Sequence, residues 1–402
     1  MSGLLSVEDA LARILSDAKP LGTETVAIEA ARGRVLAEPL AARLTQPPFD
    51  ASAMDGYAVR AADLARLPAQ LKVIGEAAAG HLFSGSVSPG EAVRIFTGAA
   101  VPAGADHVVI QENTERTGDR VTVRSGSLDQ SNIRLRGFDF KAGDPLLEAG
   151  RKLGPRELAL AAAMGHGAVR VHRRPRVAIL STGDELVPPG EAPGPGQIVS
   201  SNHLGVGALA ELSGAEAIQL GIARDTKESL LSRLAAAKGA DILVTIGGAS
   251  VGDHDLVAPV LEGQGMRLAF WKIALRPGKP LMFGRLDALR VLGLPGNPVS
   301  AIVCTRVFLV PLIRALAGLP PEDQSNATAR AAVPLAANGP RKHYMRATLH
   351  RAADGTLEAT PVRSQDSSLL SPLAVADCLL VRPVNAPAAP AGSSVPILRL
   401  DF

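Results

Sequence analysis

The 402-residue sequence predicts a multi-domain protein of mixed α/β and β class. Between residues 174 and 320, apolar strand-like runs alternate with helical segments, which is typical of βαβ units around a parallel sheet. Before and after this region, short β-prone runs are separated by turns rich in Gly, Pro, Asn and Asp. The pattern predicts four parts: an N-terminal helical or linker domain (1–45 and 142–173), an inserted β domain (46–141), a parallel α/β domain (174–320) and a small C-terminal β domain (321–402).

The regions outside the α/β domain contain both helical and β-prone segments. Residues 6–18 fit an amphipathic helix, with Ser6 as N-cap and two acids in the first turn. Residues 154–167 fit a second helix, because Pro155 suits its first position. The β-prone runs are 71–77, 91–96, 106–112 and 120–125, followed near the C-terminus by 344–350, 357–362, 377–383 and 394–400.

The α/β domain is predicted to alternate strands with helices. Its buried-strand runs are 176–181, 217–222, 241–248 and 290–296. Its helical segments are 201–214, 226–238, 256–264 and 298–317. In open parallel sheets, ligands bind beyond the carboxyl ends of the strands, so the loops at that edge are the candidate site.

Composition and charge exclude several classes of protein. The formal charge is +3, from 42 basic and 39 acidic residues, which is too small an excess to imply a nucleic-acid partner. The N-terminal residues lack the pattern of a signal peptide. No uncharged apolar run reaches the ~20 residues of a membrane span, since 299–319 contains Arg306 and Arg314. Cys304 and Cys378 lie in apolar runs and are expected to be buried. We therefore expect a cytoplasmic protein without membrane or nucleic-acid partners.

Acidic side chains follow two of the predicted strands. Asp184 and Glu185 come directly after the first strand, where they either face a ligand or cap a helix. Asp253 and Asp255 follow the third strand and supply the oxygen ligands that Mg²⁺ prefers. The two loops together predict a metal-assisted site.

Glycines and a helix start point to an anionic ligand at the same edge. Gly247, Gly248 and Ser250 form a loop whose backbone N–H groups can approach a phosphate, although a Gly-Gly turn alone can be structural. Asn297 and Pro298 suit the N-cap and first position of a helix, whose positive end favours an anion.

A cationic segment lies between these loops in the sequence. Lys272, Arg276 and Lys279 can counter phosphate or oxyanion charge, or form a solvated face. Trp271 and His254 are more simply explained as a packing residue and a surface loop residue. Because acids, glycines, cations and a helix start all follow strands of one sheet, the combination favours a site for a phosphorylated ligand.

The inserted β domain contains a further dense segment, residues 47–58. Asp50, Asp55 and Gly56 occur within it, and they suit either a tight structural loop or a ligand-facing one. A Thr-Gly pair at Thr97 follows a β-prone run.

At these residues the chain resembles the molybdopterin molybdenumtransferase family, which includes MoeA and the E domain of gephyrin. The matching segments occur in family order and span nearly the whole chain: PPFDASAMDGYAV, RIFTGAAVPAGADHVVIQE, ILSTGDEL, TIGGASVGDHD, FWKIALRPGKP and LPGNPVSA. The glycine-loop domain, the molybdopterin-binding fold, is shared with molybdopterin adenylyltransferases. SAMDGYA and the TGA-PxGAD segment belong to the longer family.

The resemblance implies an elongated homodimer whose active site lies between subunits. It also implies that molybdate and adenylylated molybdopterin react, with Mg²⁺, to give molybdenum cofactor and AMP. The site residues carried over by motif are Asp55, Thr97, Asp139, Glu185, Asp225, Asp255, Lys272, Arg276, Pro295 and Pro298, with Arg346 and Ser367 from the C-terminal domain. Arg276 stands where the family often has Lys, which keeps the charge but changes its shape.

Combining the motifs with the loops gives three sets of expected roles. The residues expected to act in catalysis are Asp55, Thr97, Asp139, Glu185, Lys272 and Arg276. Those expected to bind the ligand are Gly247, Gly248, Ser250, Asp225, Lys279, Pro295, Asn297, Pro298, Arg346 and Ser367. Those expected to hold the metal are Asp253, Asp255 and Glu185.

Three other readings share part of this pattern. A molybdopterin adenylyltransferase using ATP needs the 174–320 region alone, and a gephyrin-like scaffold needs no catalysis. A tungstate enzyme needs the same oxyanion site. Molybdopterin adenylyltransferase and molybdoenzyme-maturation proteins are the partners that the resemblance implies.

Overall fold

The computed structural model describes residues 4–126, 131–248, 256–322 and 326–401, which form two compact units. The N-terminal unit contains residues 25–32 and 38–169. The C-terminal unit contains the chain up to residue 24, residues 33–37 and the chain from residue 170 onward. The division into four domains is finer than these units and stays a prediction.

The elements up to residue 172 are mostly short strands. In chain order they are α1 (Val7–Leu15), β1 (Thr23–Ala27), β2 (Leu40–Ala41), β3 (Ala51–Ser52), β4 (Gly56–Val59), β5 (Ala69–Ala77), β6 (Glu91–Ile95), β7 (His107–Ile110), β8 (Thr114–Thr117), β9 (Arg120–Val123), β10 (Ile133–Arg134), β11 (Pro145–Leu147), α2 (Pro155–Ala163) and β12 (Ala168–His172). The helix predicted from Ser6 is confirmed, since the Ser6 hydroxyl accepts a 3.0 Å hydrogen bond from the Asp9 backbone N–H. It ends three residues earlier than its periodicity suggests.

The core of the N-terminal unit is a six-stranded sheet with the order β7-β4-β6-β5-β9-β8. Only the β5–β6 pairing is parallel among these strands. In the antiparallel β4–β6 pair, Gly56 at the start of one strand lies opposite Ile95 at the end of the other. A side chain at Gly56 would overlap the Val109 carbonyl on the neighbouring strand, so the position requires glycine. This register brings Asp55 and Thr97, the residues just beyond the two strand ends, to one edge of the sheet.

The elements of the C-terminal unit from residue 176 begin with the predicted alternation of strands and helices, which lasts to α5. In order they are β13 (Arg176–Thr182), β14 (Leu186–Val187), β15 (Ile198–Val199), α3 (Asn202–Leu212), β16 (Glu216–Ala223), α4 (Lys227–Ala235), β17 (Ile242–Ile246), α5 (Val257–Gly263), β18 (Arg267–Trp271), β19 (Leu275–Arg276), β20 (Met282–Leu286), β21 (Leu289–Leu294), α6 (Pro298–Cys304), α7 (Val310–Leu316), β22 (Asn326–Ala331), β23 (Lys342–Arg351), β24 (Leu357–Pro361), α8 (Ser371–Ala374), β25 (Cys378–Arg382) and β26 (Ser394–Arg399).

The α/β sheet is mixed, with the strand order β16-β13-β17-β21-β20-β18. The parallel arrangement is confirmed for β16, β13, β17 and β21. The expectation of a wholly parallel sheet is corrected by β20 and β18, which are each antiparallel to their neighbour. No helix follows either strand directly, so neither produces the strand–helix alternation on which the prediction rested. Two reversals return β18 to the direction of β21, so the end of β18 at Trp271 faces the ligand-binding edge.

A long buried helix underlies this edge. It runs from Pro298 to Leu316 through α6, a π-helical segment (Thr305–Leu309) and α7. The helix is long and apolar enough to cross a membrane, but 89% of its most apolar window is buried inside the protein. Its packing is therefore that of a core helix. Cys304 lies within it and Cys378 begins β25; both are buried, as predicted.

The C-terminal β prediction is confirmed, and the strands close into a small barrel. The closed order is β23-β24-β22-β26-β25, with β25 pairing back to β23. Apart from the parallel β22–β24 pair, its neighbours are antiparallel. β19, from the cationic segment, pairs with β23 and is parallel to it, with Arg276 opposite His343.

Candidate functional site

In the N-terminal unit, the structure brings Asp55 and Thr97 into direct contact. The Thr97 backbone N–H and hydroxyl donate hydrogen bonds of 2.8 Å and 2.7 Å to the same Asp55 oxygen, Oδ1. These two bonds, the N–H first, hold the pKa of Asp55 below its ordinary value. Asp55 is therefore a half-buried, ionised carboxylate with a fixed orientation. Asp139 lies in an exposed turn of the same unit, where its N–H donates to the Gln46 carbonyl at 3.0 Å.

In the C-terminal unit, the loops after β13 and β16 are joined. The Arg224 guanidinium donates to the carbonyls of Asp184 and Leu186, at 2.9 Å and 3.1 Å, on either side of Glu185. The Asp225 N–H donates to Asp184 Oδ1 at 3.1 Å. No helix follows this loop, since β14 begins at Leu186, so the helix-cap reading of the acids is excluded. The exposed acids Glu185 and Asp225 are thus carried by two interlocked loops.

Gly247 allows the loop after β17 to pass close to its neighbours. Its φ is +92°, and a Cβ atom there would lie 2.7 Å from the Thr182 carbonyl oxygen. Its N–H donates to the Leu294 carbonyl at 3.1 Å. Gly248 follows with a φ of +61°. Ser250, Asp253, His254 and Asp255 lie outside the described residues.

These loops enclose a cavity of about 270 Å³ at the carboxyl edge of the sheet. Its polar lining comes from Ser181, Thr182, Glu185, Ser200, Ser201, Asn202, Gly247, Gly296 and Asn297, with Pro298 beside them. Pro295 is buried next to the lining, between Leu294 and Gly296. Five of the expected residues therefore gather here: Glu185, Gly247, Pro295, Asn297 and Pro298.

A second cavity, of about 350 Å³, carries the positive charge. Arg276 and Lys279 line it, as the sequence suggests, together with Arg341, which the sequence analysis missed. The other polar lining residues are Asn297, Ser300, Gln365, Asp366 and Ser367. Asn297 lines both cavities, so the acidic and the cationic cavity adjoin at the start of α6.

The start of α6 is as predicted in position but not in hydrogen bonding. Asn297 is the N-cap residue and Pro298 is the first helical residue. The Asn297 side chain does not cap the helix, and its amide donates instead to the Ser367 hydroxyl at 2.9 Å. The Ser367 carbonyl accepts the Val299 N–H at 3.1 Å. Part of the expected anion-binding helix end is therefore occupied by Ser367 itself.

Arg346 is buried, with 1% of its surface exposed, and it holds the loop that carries Ser367. Its guanidinium donates to the carbonyls of Leu369, Ser364 and Asp366 at 2.7–2.9 Å. The sequence led us to expect that Arg346 contacts the ligand directly. Its hydrogen bonds indicate instead that it supports the loop at 364–369. Beside it, burial and the nearby arginines lower the pKa of His343 to about 4, so this side chain is neutral at neutral pH.

Lys272 occupies the end of β18 in a strained conformation. Its φ is +72°, which is uncommon for a residue with a side chain and often marks a functional position. Its backbone N–H donates to the Leu281 carbonyl at 3.0 Å, and its ammonium lies 5.8 Å from the centre of the Trp271 ring. Trp271 itself is half-buried and packs against the core, as the simpler reading expects.

The donor chemistry around the first cavity fits Mg²⁺. Mg²⁺ is typically bound by one or two carboxylates together with substrate phosphates. Glu185 and Asp225 offer such carboxylates on joined loops. Within the part of the chain that the structure describes, no three His, Cys, Asp or Glu residues cluster as a complete metal site. The fit therefore depends on phosphate oxygens from a ligand completing the coordination.

Replacing Arg346 with Met should destabilise the C-terminal unit by about 3 kcal/mol, because three loop carbonyls lose their donors. Urea denaturation measures this change. The matched control is Arg330→Met, which removes an exposed ion pair with Asp354 and should cost less than about 1 kcal/mol. Equal midpoints for the two variants would contradict the role assigned to Arg346.

Comparison with known proteins covers nearly the whole chain. Family models match residues 5–165 (MoeA N-terminal region, domain I and II), 178–315 (probable molybdopterin binding domain) and 328–400 (MoeA C-terminal region, domain IV). The molybdopterin molybdenumtransferase of Nostoc sp. is 39% identical, over 94% of this chain and 89% of its own length. That of Haemophilus influenzae is 37% identical, over 94% of both chains.

A solved structure shows the same similarity. The molybdopterin biosynthesis MoeA protein of Pyrococcus horikoshii superimposes with a TM-score of 0.81, at 32% identity and over 100% of both chains. A second structure from the same organism gives 0.79 at 28% identity, over 99% of this chain and 100% of its own. The family models, the relatives and the superimposed structures agree, and the chain belongs to the molybdopterin molybdenumtransferase (MoeA) family.

Proposed function

We propose that this protein inserts molybdate into adenylylated molybdopterin, forming molybdenum cofactor and releasing AMP. The observation that carries the proposal is the pair of cavities that adjoin at Asn297, one lined by glycines and the Glu185 carboxylate and the other by three cations. The reaction joins two anionic substrates, a pyrophosphate-containing pterin and an oxyanion. Two adjoining cavities of different character provide a place for each.

The first cavity suits the nucleotide end of the substrate. Gly247 lets the chain pass close to Thr182 and so brings the start of the predicted glycine loop to the wall of this cavity. Glu185 and Asp225, joined by the predicted ligands Asp253 and Asp255, would hold Mg²⁺ against the phosphate oxygens. When bound, Mg²⁺ would supply the Lewis acidity that polarises the phosphoryl group.

The cationic cavity suits the oxyanion. Arg276, Lys279 and Arg341 can bind molybdate through charge-assisted hydrogen bonds. The hydroxyls of Ser300 and Ser367 add neutral donors at the same wall. An oxyanion held here lies beside the pterin end of a ligand in the first cavity, so that much of the rate gain comes from positioning. Tungstate has the same shape and charge as molybdate, so the cavity could hold either oxyanion. That molybdate is the substrate is therefore itself part of the proposal.

Asp55 and Thr97 orient a reacting group in this proposal. A carboxylate held ionised and in a fixed orientation can accept a hydrogen bond from a water molecule or a substrate thiol and so position it. Family resemblance supports a homodimer in which Asp55 of one subunit serves the cavities of the other. We further propose a cytoplasmic location, and partners in the molybdopterin adenylyltransferase and in molybdoenzyme maturation.

Asp55→Ala and Lys272→Ala should each lower the formation of molybdenum cofactor from adenylylated molybdopterin and molybdate by at least about 100-fold. AMP release measured in the same assay should fall in parallel. Arg330→Ala, on the exposed barrel surface, is the matched control and should retain wild-type turnover. Unchanged turnover in both variants would refute the assigned roles, and adenylylation of free molybdopterin by ATP would support the adenylyltransferase instead.

Mixing the inactive Asp55→Ala and Lys272→Ala proteins should restore activity if the site is shared between subunits. Random exchange produces heterodimers with one intact site, which gives about a quarter of wild-type activity. The measurement is turnover before and after subunit exchange, with each variant alone as control. Failure to recover activity despite proven exchange would show that both residues act within one subunit.

Arg341→Ala should raise the KM for molybdate about 10-fold, because it removes one charge-assisted contact. The KM for adenylylated molybdopterin should change less than about twofold, since Arg341 does not line the first cavity. Arg276→Lys should keep the molybdate KM close to wild type, because the charge remains. An unchanged molybdate KM in Arg341→Ala would place the oxyanion elsewhere.

A further inference from the structure

We propose that Arg94 is a positioning residue that holds the Asp55–Thr97 pair in its reactive orientation. The inference rests on the proposed function, which gives Asp55 its role. Arg94 belongs to β6, opposite Tyr57 of β4, and is half-buried. It lies between the two segments that carry the pair, which are residues 55–57 and residues 96–97.

The hydrogen bonds of Arg94 fix the two successive backbone carbonyls that follow the Asp55 Cα. One guanidinium nitrogen, Nη1, donates to the Gly56 carbonyl at 3.0 Å. The other, Nη2, donates to the Gln111 side-chain oxygen at 2.7 Å. The Gln111 backbone N–H donates in turn to the Asp55 carbonyl at 3.0 Å. The consecutive carbonyls of Asp55 and Gly56 are therefore tied to the same guanidinium, the first through Gln111 and the second directly.

Two ring contacts of the Arg94 guanidinium hold the second segment. Its guanidinium carbon lies 4.8 Å from the centre of the Phe96 ring and 5.2 Å from that of Tyr57. Both distances lie within the range of a cation–π contact. Phe96 directly precedes Thr97, the donor of both hydrogen bonds to Asp55. One side chain thus contacts the residue after Asp55 by hydrogen bonding and the residue before Thr97 by stacking.

The arrangement requires an arginine rather than any cation. Two divergent hydrogen bonds made together with two ring contacts use the fixed planar fork of a guanidinium. A lysine keeps the charge near Asp55 but lacks this fork. The Arg94→Lys variant therefore separates the positioning effect of Arg94 from the effect of its charge, because it keeps only the charge.

The closing experiment compares Arg94→Lys and Arg94→Met with Arg116→Met in the cofactor-forming assay. Arg116 is an exposed arginine of the same sheet whose guanidinium donates to Gly118 within its own turn, at 3.1 Å. We expect both Arg94 variants to lower kcat by about 10- to 100-fold, since small displacements of a catalytic group have effects of this size. The KM values should stay within about twofold, and Arg116→Met should match wild type. Urea denaturation verifies that each variant is folded.

A double-mutant cycle distinguishes positioning from general stabilisation of the sheet. If Arg94 acts through the pair, Arg94→Met should lower kcat by a much smaller factor in a Thr97→Ala background than in wild type. Equal factors in the two backgrounds, or a kcat of Arg94→Met within twofold of wild type, would overturn the inference. Two other results are distinguishable from these: wild-type activity in Asp55→Ala would refute the role of Asp55, whereas the absence of cofactor formation by the wild-type protein would refute the proposed function.

Discussion

The parallel pairing of β19 with β23 is the constraint on which the cationic cavity depends. β19 belongs to the segment between two strands of the α/β sheet, yet it extends the barrel as an added strand, with Arg276 opposite His343. This pairing places Arg276 and Lys279 beside Arg341, which is 65 residues further along the chain than Arg276. The barrel loop at 364–369 closes the same cavity, because Arg346 holds it and Ser367 contacts the first turn of α6. Barrel and sheet edge therefore form one structure around the proposed oxyanion.

The three cations of this cavity repel one another in the folded protein when no anionic ligand is bound. Burial and the neighbouring guanidinium groups lower the pKa of His343 to about 4, so it adds no further charge at neutral pH. Asp366 lines the same cavity and accepts hydrogen bonds from the Ser368 N–H and hydroxyl at 2.9 Å and 2.8 Å, which lower its pKa. The repulsion among the cations is thus limited by one neutral imidazole and one ionised carboxylate.

Local sequence patterns predicted most of the fold and about half of the site geometry. The strand–helix alternation located the four parallel strands, because buried strands read as apolar runs of limited length. The antiparallel strands β18 and β20 were not predicted, because no amphipathic helix follows either strand and Gly284 interrupts the apolar run of β20. Arg341 could not be found from the sequence, because its place depends on pairing between distant strands. Arg346 was expected at the ligand but lies beneath a loop, a distinction that depends on which way a buried side chain points.

The hydrogen bonding of Asp55 has a consequence for the energetics of turnover. Both Thr97 donors converge on Oδ1, and no hydrogen bond reaches Oδ2 from any residue that the structure describes. The two oxygens are therefore inequivalent, and rotation of the carboxylate would break both bonds at once. The entropy of ordering this group is lost when the chain folds rather than when the substrate arrives. The free oxygen presents its two lone pairs in fixed directions, so the carboxylate can select among ligands by the angle at which they approach.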